Sequence, residues 1–200
     1  FDPDIRVTTK TGKSFSISEE KREQLLGLPC VDLLSETISE TALVYFEGKQ
    51  MPVQLMGVDA AFDDLTGIAN IITDGHYEVY DGAFDRAVLG QGLAWQVGIG
   101  ARFINAIHVY APKRTAKVNM LRPDQSFNHE TCFIAGTFAV QQATYDNEVM
   151  LVDIDLTRRL LTYTPQEVTA LLIKRAPGTS VKQAKKEIQK VIGSGYRILD

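Results

Sequence analysis

Three histidines, two cysteines and a few carboxylate clusters are the groups in this chain whose chemistry could go beyond packing. A zinc helix needs two imidazoles at i and i+4 on one face. His76, His108 and His129 offer no such pair, and "HETC", from His129 to Cys132, lacks a second histidine. His108 falls inside the apolar run "FINAIHVY" and is expected to pack there. Cys30 follows Leu-Pro with no neighbouring cation to activate its thiol. With Cys132 far along the chain, the expectation is two buried free thiols rather than a bridge. Asp59, Asp63 and Asp64 could hold a cation, or cap a helix and face solvent. Asp74, His76 and Glu78 read as loop surface. "GQGLAW", Gly90 to Trp95, starts like a dinucleotide fingerprint. It lacks the third glycine and the βαβ setting, so it reads as a tight strand-to-helix turn. No G-x-S-x-G elbow is present. These patterns lead us to expect no catalytic residue, no metal site and no cofactor.

What is left is chemistry of binding. "YAPKRTAKVNMLRPDQSFNHET", Tyr110 to Thr131, separates two strand-like runs. Lys113, Arg114, Lys117 and Arg122 stand against Asp124 and Glu130 in that interval, a local basic excess on a chain whose net charge is −4. Met120 and Leu121 sit among these cations, between Pro112 and Pro123. Prolines reduce the freedom a loop loses on docking, and methionine adapts its shape to a partner. Pro112, Lys113, Arg114, Lys117, Met120, Leu121, Arg122 and Pro123 therefore form the candidate partner-binding set. The competing reading is a floppy hairpin tip whose apolar pair folds back on its own domain.

A 44% apolar, 23% charged composition is that of an ordinary globular chain with a sizeable core. The acidic balance argues against a nucleic-acid partner, which calls for a basic excess. No apolar run approaches the roughly 18 residues of a membrane helix. The opening "FDPDIRV" has neither an initiator Met nor a signal-peptide pattern, and we expect a piece of a longer protein.

Ile5 and Val7 alternate with Arg6 and Thr8 as a half-buried strand, and "SFSI" is expected to return beside it after "KTGK". A helix should follow, with Ser16 and Glu19 as a capping box and Gly27 and Pro29 as the stop. Val31 to Phe46 is strand-like, with a bulge or bend expected between Ser35 and Ser39. "EGK" turns it into a return strand carrying Met51, Val53 and Leu55. The far end repeats this grammar. "EVTALLIKR" is a strand, Thr179 or Ser180 caps the amphipathic helix "VKQAKKEIQKVI", and "YRIL" is the last strand. Two strand–helix–strand ends can share one antiparallel ferredoxin-type sheet in which the first and last strands are neighbours. The middle reads as an inserted lobe. It holds a turn of helix at "AFDDL", a short helix near Gln91 to Val97, strands flanking the basic loop, the strand "EVMLVDI", and a helix "DLTRRLLTY" capped by Asp155. The expected fold is α+β, with 1–58 and 166–200 in one lobe and 59–165 in the other.

Four stretches in this order carry a family likeness: "SETISETALVYFEGKQMPVQLMGVDAAF", "AVLGQGLAWQVGI", "FIAGTF" and "LTRRLLTYTPQEVTALLIKRAPGTSVKQAKKEIQ". On them the chain resembles the periplasmic domain of MacB/FtsX-type ABC-transporter permeases, and most of all the lipoprotein-releasing LolC/LolE type. The resemblance implies a porter-like, ferredoxin-like lobe built from both chain ends and an inserted Sabre-like α+β lobe. It implies a non-catalytic domain between the first two of four membrane helices, at the periplasmic face of the bacterial inner membrane. Implied partners are a second permease protomer, a cytoplasmic ATPase subunit, lipoprotein cargo, and a periplasmic lipoprotein carrier or adaptor. Ala111 to Glu130 matches the position of the hook that engages the carrier. A sibling permease serving antimicrobial efflux or cell-wall hydrolase control is an alternative. An envelope hydrolase or small-ligand enzyme, or a passive scaffold, would be a reading of another class.

Overall fold

The computed structural model of the chain describes residues 2–99, 104–114, 117, 119 and 121–200. Its first elements are β1 (Ile5–Thr9), β2 (Phe15–Ser16), α1 (Glu19–Leu26), β3 (Val31–Phe46), β4 (Lys49–Val58), α2 (Phe62–Thr66) and a 3-10 turn at Ile68–Ile71. Next come β5 (Ile72–Gly75), β6 (Arg86–Gly90), α3 (Gln91–Val97), β7 (Ala106–Pro112), α4 (Pro123–Ser126), β8 (Phe127–Phe138), α5 (Ala143–Glu148) and β9 (Val149–Asp153). The chain closes with α6 (Ile154–Leu161), β10 (Glu167–Val168), β11 (Ala170–Arg175), α7 (Val181–Ile192) and β12 (Tyr196–Leu199).

These elements form two compact units, one from residues 2–38, 58–67 and 164–200, the other from 39–57 and 68–163. The expected segments 1–58, 59–165 and 166–200 differ from this in two places. Residues 39–57 belong to the second unit because the outer half of β3 pairs with β7, Val44 opposite Val109. Residues 58–67 belong to the first because Asp59 accepts hydrogen bonds from Ser35 Oγ at 2.6 Å and from the Glu36 amide at 2.8 Å.

The first unit carries the strand order β12-β1-β11-β3. Every neighbouring pair is antiparallel, with Val7 opposite both Leu171 and Ile198, and Leu172 opposite Ser35. That is the ferredoxin-type arrangement of the two chain ends, with α1 and α7 packed together in the two crossovers. Ser180 starts α7 by accepting from the Gln183 amide at 3.2 Å, and Ala184, Ile188 and Ile192 bury its apolar stripe. Burial of a full aliphatic side chain stabilises by about 1.5–3 kcal/mol, so this stripe holds α7 down. The cap of α1 is Ser18, not Ser16, and it accepts from the Lys21 amide. Ser16 is spoken for by β2, which pairs with β10 rather than β1, Phe15 opposite Val168. Glu167 in β10 is buried, and its carboxylate accepts from Ser14 Oγ at 2.5 Å and the Thr164 amide at 3.2 Å.

In the second unit the strand order is β4-β9-β6-β8-β5, with β7 pairing both β3 and β8. β6 and β8 are parallel; β6/β9, β7/β8 and β5/β8 are antiparallel. β3 is one continuous strand through residues 35–39, where a bulge or bend was expected. Its polar residues are tolerated inside an unbroken strand because Ser35 bonds Asp59 and Thr37 Oγ1 donates to the Ala170 carbonyl. The cap of α6 is Asp153, whose carboxylate accepts from the Asp155 amide at 2.8 Å; Asp155 lies one residue inside the helix. Leu156, Leu160 and Leu161 face inward as expected.

Candidate partner-binding site

β7 and β8 form a long hairpin whose ladder runs from Ala106 opposite Phe133 to Pro112 opposite Phe127. Period-2 alternation divides its side chains between two faces. Ile107, Val109, Ala111 and Cys132 point inward and are buried. The inner face packs on α6. Towards the tip that contact becomes polar. Asn128 Nδ2 donates to the Leu160 carbonyl at 2.8 Å, and Arg159 bridges Glu130 at 3.2 Å and Asp85 at 2.6 Å. Burial alone would lower the Arg159 pKa, but Asp85 and Glu130 hold it above the usual value. The stem is therefore braced along its length.

The connection between the strands is 113–126, shorter than the Ala111 to Glu130 interval because both strands extend further than their apolar runs show. It is organised around Ser126, which is buried. The Lys113 amide donates to the Ser126 carbonyl at 2.9 Å, and Ser126 Oγ accepts from the Asn119 amide at 2.8 Å. Asn119 in turn makes the outer turn. Its carbonyl accepts from the Arg122 amide at 3.1 Å and its side chain from the Leu121 amide at 3.0 Å. Asparagine favours such turns because its side chain imitates a backbone acceptor. The turn holds Leu121 outward at 92% exposure, so this leucine does not fold back on its domain. Met120 lies outside the described residues.

Arg114 sets its guanidinium over the Tyr163 ring, 4.8 Å from the centroid, just beyond α6. Lys117 and Arg122 are exposed and Lys113 is half-buried. Pro112 ends β7, exposed, and the Pro123 backbone opens α4. Pro112, Lys113, Arg114, Lys117, Leu121, Arg122 and the Pro123 backbone thus all lie at the end of β7 or in the connection that follows it, with Leu121 the most exposed large apolar residue among those described.

The outer face of the stem was not legible as a unit. Across β3, β7 and β8 the rows are Tyr45–His108–Thr131 and Leu43–Tyr110–His129. Leu43, Gln50, Tyr110, Asp124, Phe127 and His129 line a groove of about 500 Å³. His108 does not pack in the core as expected. It stands on this outer face, where its Nδ1 is 2.9 Å from His129 Nε2. Alternation in "AIHVYAP" could have placed His108 beside Tyr110, but the register against β8 could not be read across a long connection. Trp95 on α3, 71% exposed, is a second large apolar surface group that sequence reasoning passed over.

The other reactive residues have structural duties. Both cysteines are free and buried. Burial, with hydrogen bonding and charge from Glu187, pushes the Cys30 thiol up to about 11. Burial, then Asp85 and Glu130, pushes Cys132 well above the thiol range. Neither is poised as a nucleophile at neutral pH. Asp59 joins β3 to the start of α2, and His76 meets Glu78 at 2.7 Å on an exposed loop. Gly90 is the hinge between β6 and α3, and a Cβ there would overlap the Asp146 carbonyl and approach that of Tyr145 to 2.7 Å. Close packing of α5 accounts for this glycine.

Residues 2–191 match the profile of the MacB-like periplasmic core domain family. The periplasmic region of MacB from Actinobacillus actinomycetemcomitans superimposes with a TM-score of 0.70 at 9% identity, covering 98% of this chain and 87% of that one. The extracellular domain of the ABC-type transporter YknZ from Gram-positive bacteria superimposes with a TM-score of 0.65 at 10% identity, covering 98% and 99%. At these identities the likeness is one of fold. No curated protein matches the chain.

Proposed function

Because this chain belongs to the MacB-like periplasmic core domain family, the periplasmic part of ABC-transporter permeases, we propose that it couples ATP-driven motion of its permease to lipoprotein release, and that its β7–β8 projection docks a periplasmic lipoprotein carrier. In this reading the domain is non-catalytic, its inserted part is a Sabre-like lobe, and ATP is hydrolysed by a cytoplasmic subunit. The observation that carries it is Leu121, held out by the Asn119 turn at the end of a braced stem. An exposed leucine among Lys113, Arg114, Lys117 and Arg122 suits a partner with an apolar recess and an acidic rim. Apolar contact at the centre of an interface supplies the energy, while charges at the rim steer encounter. A transient hand-off needs only a small interface, below about 1,200 Å².

The test is capture of a purified lipoprotein carrier by this chain, compared with the Met120→Asp, Leu121→Asp double variant. Capture should fall to background in the variant. Equal capture by both would remove the tip from the interface. Capture of an efflux adaptor instead, lost in the same variant, would move the chain to the efflux branch of the family.

A further inference from the structure

We propose that His108 and His129 form a copper(II)-binding pair on the outer face of the β7–β8 stem. The two residues are diagonal neighbours across the ladder, since His108 is opposite Thr131 and His129 opposite Tyr110. Their ring centroids are 5.1 Å apart with planes 24° from parallel, yet Nδ1 of His108 and Nε2 of His129 are only 2.9 Å apart. That separation is shorter than two rings lying face over face allow. The rings therefore meet edge to edge, with these nitrogens aimed at one another. Thr131 Oγ1 joins them at 3.3 Å from His108 Nδ1 and 3.4 Å from His129 Nε2.

Three polar atoms converge on one point of a solvent-facing surface. In the metal-free pair one imidazole carries the N–H that the other accepts. Moving that hydrogen to the other nitrogen of the same ring, and turning both rings out of line, brings two lone pairs to face a common point beside the present contact, with no change of net charge. Metal–nitrogen bonds of about 2.05 Å spanning 2.9 Å subtend roughly 90°. A right angle is the cis angle of tetragonal copper(II), and copper(II) also stands at the top of the affinity order for nitrogen donors. Tetrahedral zinc would need the nitrogens to spread. Among the described residues no three His, Cys, Asp or Glu side chains converge, so the site would be open, with water completing the coordination. Supporting groups are in place. The Tyr110 ring stacks on His129 at 4.6 Å and 15°, the Tyr45 ring leans on His108 at 6.2 Å, and Asp124 adds a carboxylate to the adjoining groove. Bound there, the ion would tie β7 to β8 in the stem below the projecting tip. The inference does not depend on the carrier reading.

The probe is copper(II) chloride, titrated calorimetrically into the untagged chain and followed by electron paramagnetic resonance. Wild type should take up one equivalent, with hyperfine coupling to two imidazole nitrogens. His108→Phe and His129→Phe each remove one donor and keep an aromatic body on the sheet face. Each should weaken uptake by about a hundredfold, as loss of one arm of a bivalent attachment does. If either fails to fold, the Gln variant of the same position takes its place. His76→Ala should bind as wild type does. Uptake unchanged by both substitutions, a spectrum with a single nitrogen, or loss in His76→Ala would each overturn the assignment.

Discussion

Two long hairpins in this molecule solve the same problem in different ways. β3 and β4 turn through Glu47 and Gly48 alone, both in the left-handed region at φ 46° and 83°. Such primed turns match the twist of their strands and are the shortest way to close a hairpin. β7 and β8 are paired up to Pro112 and Phe127, yet the chain spends residues 113–126 on the return. Loop-closure entropy puts the cost of the longer connection at about 2 kcal/mol. A short turn would close the stem's ladder as well; of the contacts described, the longer connection adds Arg114 over the Tyr163 ring and its own internal bonds around Ser126. Folding accounts for the first turn; for the second, the proposed use is binding.

The largest effect should come from removing that difference. Replacing 113–126 by Asn-Gly should abolish carrier capture while the melting temperature holds or rises by a few degrees. Retained capture would show that the projection is not the contact. A milder change leaves the loop and alters its cations. Lys113→Glu, Arg114→Glu and Lys117→Glu together should slow association about tenfold at low salt and flatten its salt dependence, as loss of steering does. An unchanged on-rate in stopped-flow mixing would mean the cations serve only solvation.

Stability should sort the two turns in the opposite sense. Gly48→Val forces a branched side chain into the left-handed region and should cost about 1–2 kcal/mol in denaturant unfolding. Leu121→Ser, at an exposed tip, should stay within about 0.5 kcal/mol. Equal losses would mean that the tip packs after all.

How much of this was legible follows the same divide. The bounds of helix α7 were readable because its cap, its apolar face and Gly193 all act locally, though the cap was left open between Thr179 and Ser180 and the face was read through Val181 and Val191 where Ile192 is the buried end. That the first and last strands are neighbours was readable too, since both chain ends carry one pattern, but not their register, Val7 opposite Ile198. Caps were misplaced where two candidates stood close together: Ser16 for Ser18, and Asp155 for Asp153. There the choice depends on which residue a strand has already engaged. The boundary between units was missed because β3 runs unbroken from one into the other. Within the candidate site, the cations and Leu121 were visible by type. The Asn119–Ser126 scaffold and the His108–His129 pair needed a register that no local pattern carries.

A third turn offers the smallest test. Asp81 accepts from the amides of Phe84 at 2.7 Å and Ala83 at 2.9 Å and from the Arg86 side chain, and these bonds hold its carboxyl down to about 2. Its contribution is present above the ordinary carboxylate pKa of about 4 and is lost as pH falls through about 2. The Phe84 amide shift should therefore titrate with a midpoint near 2. A midpoint near 4 would mean that Asp81 does not hold this turn.

The most direct test places a photocross-linking amino acid at position 121 of the full-length permease in living cells, with position 47 in the short turn as its counterpart. The account predicts a covalent adduct with the lipoprotein carrier at 121 and none at 47. Adducts of equal yield at both positions, or at 47 alone, would contradict it.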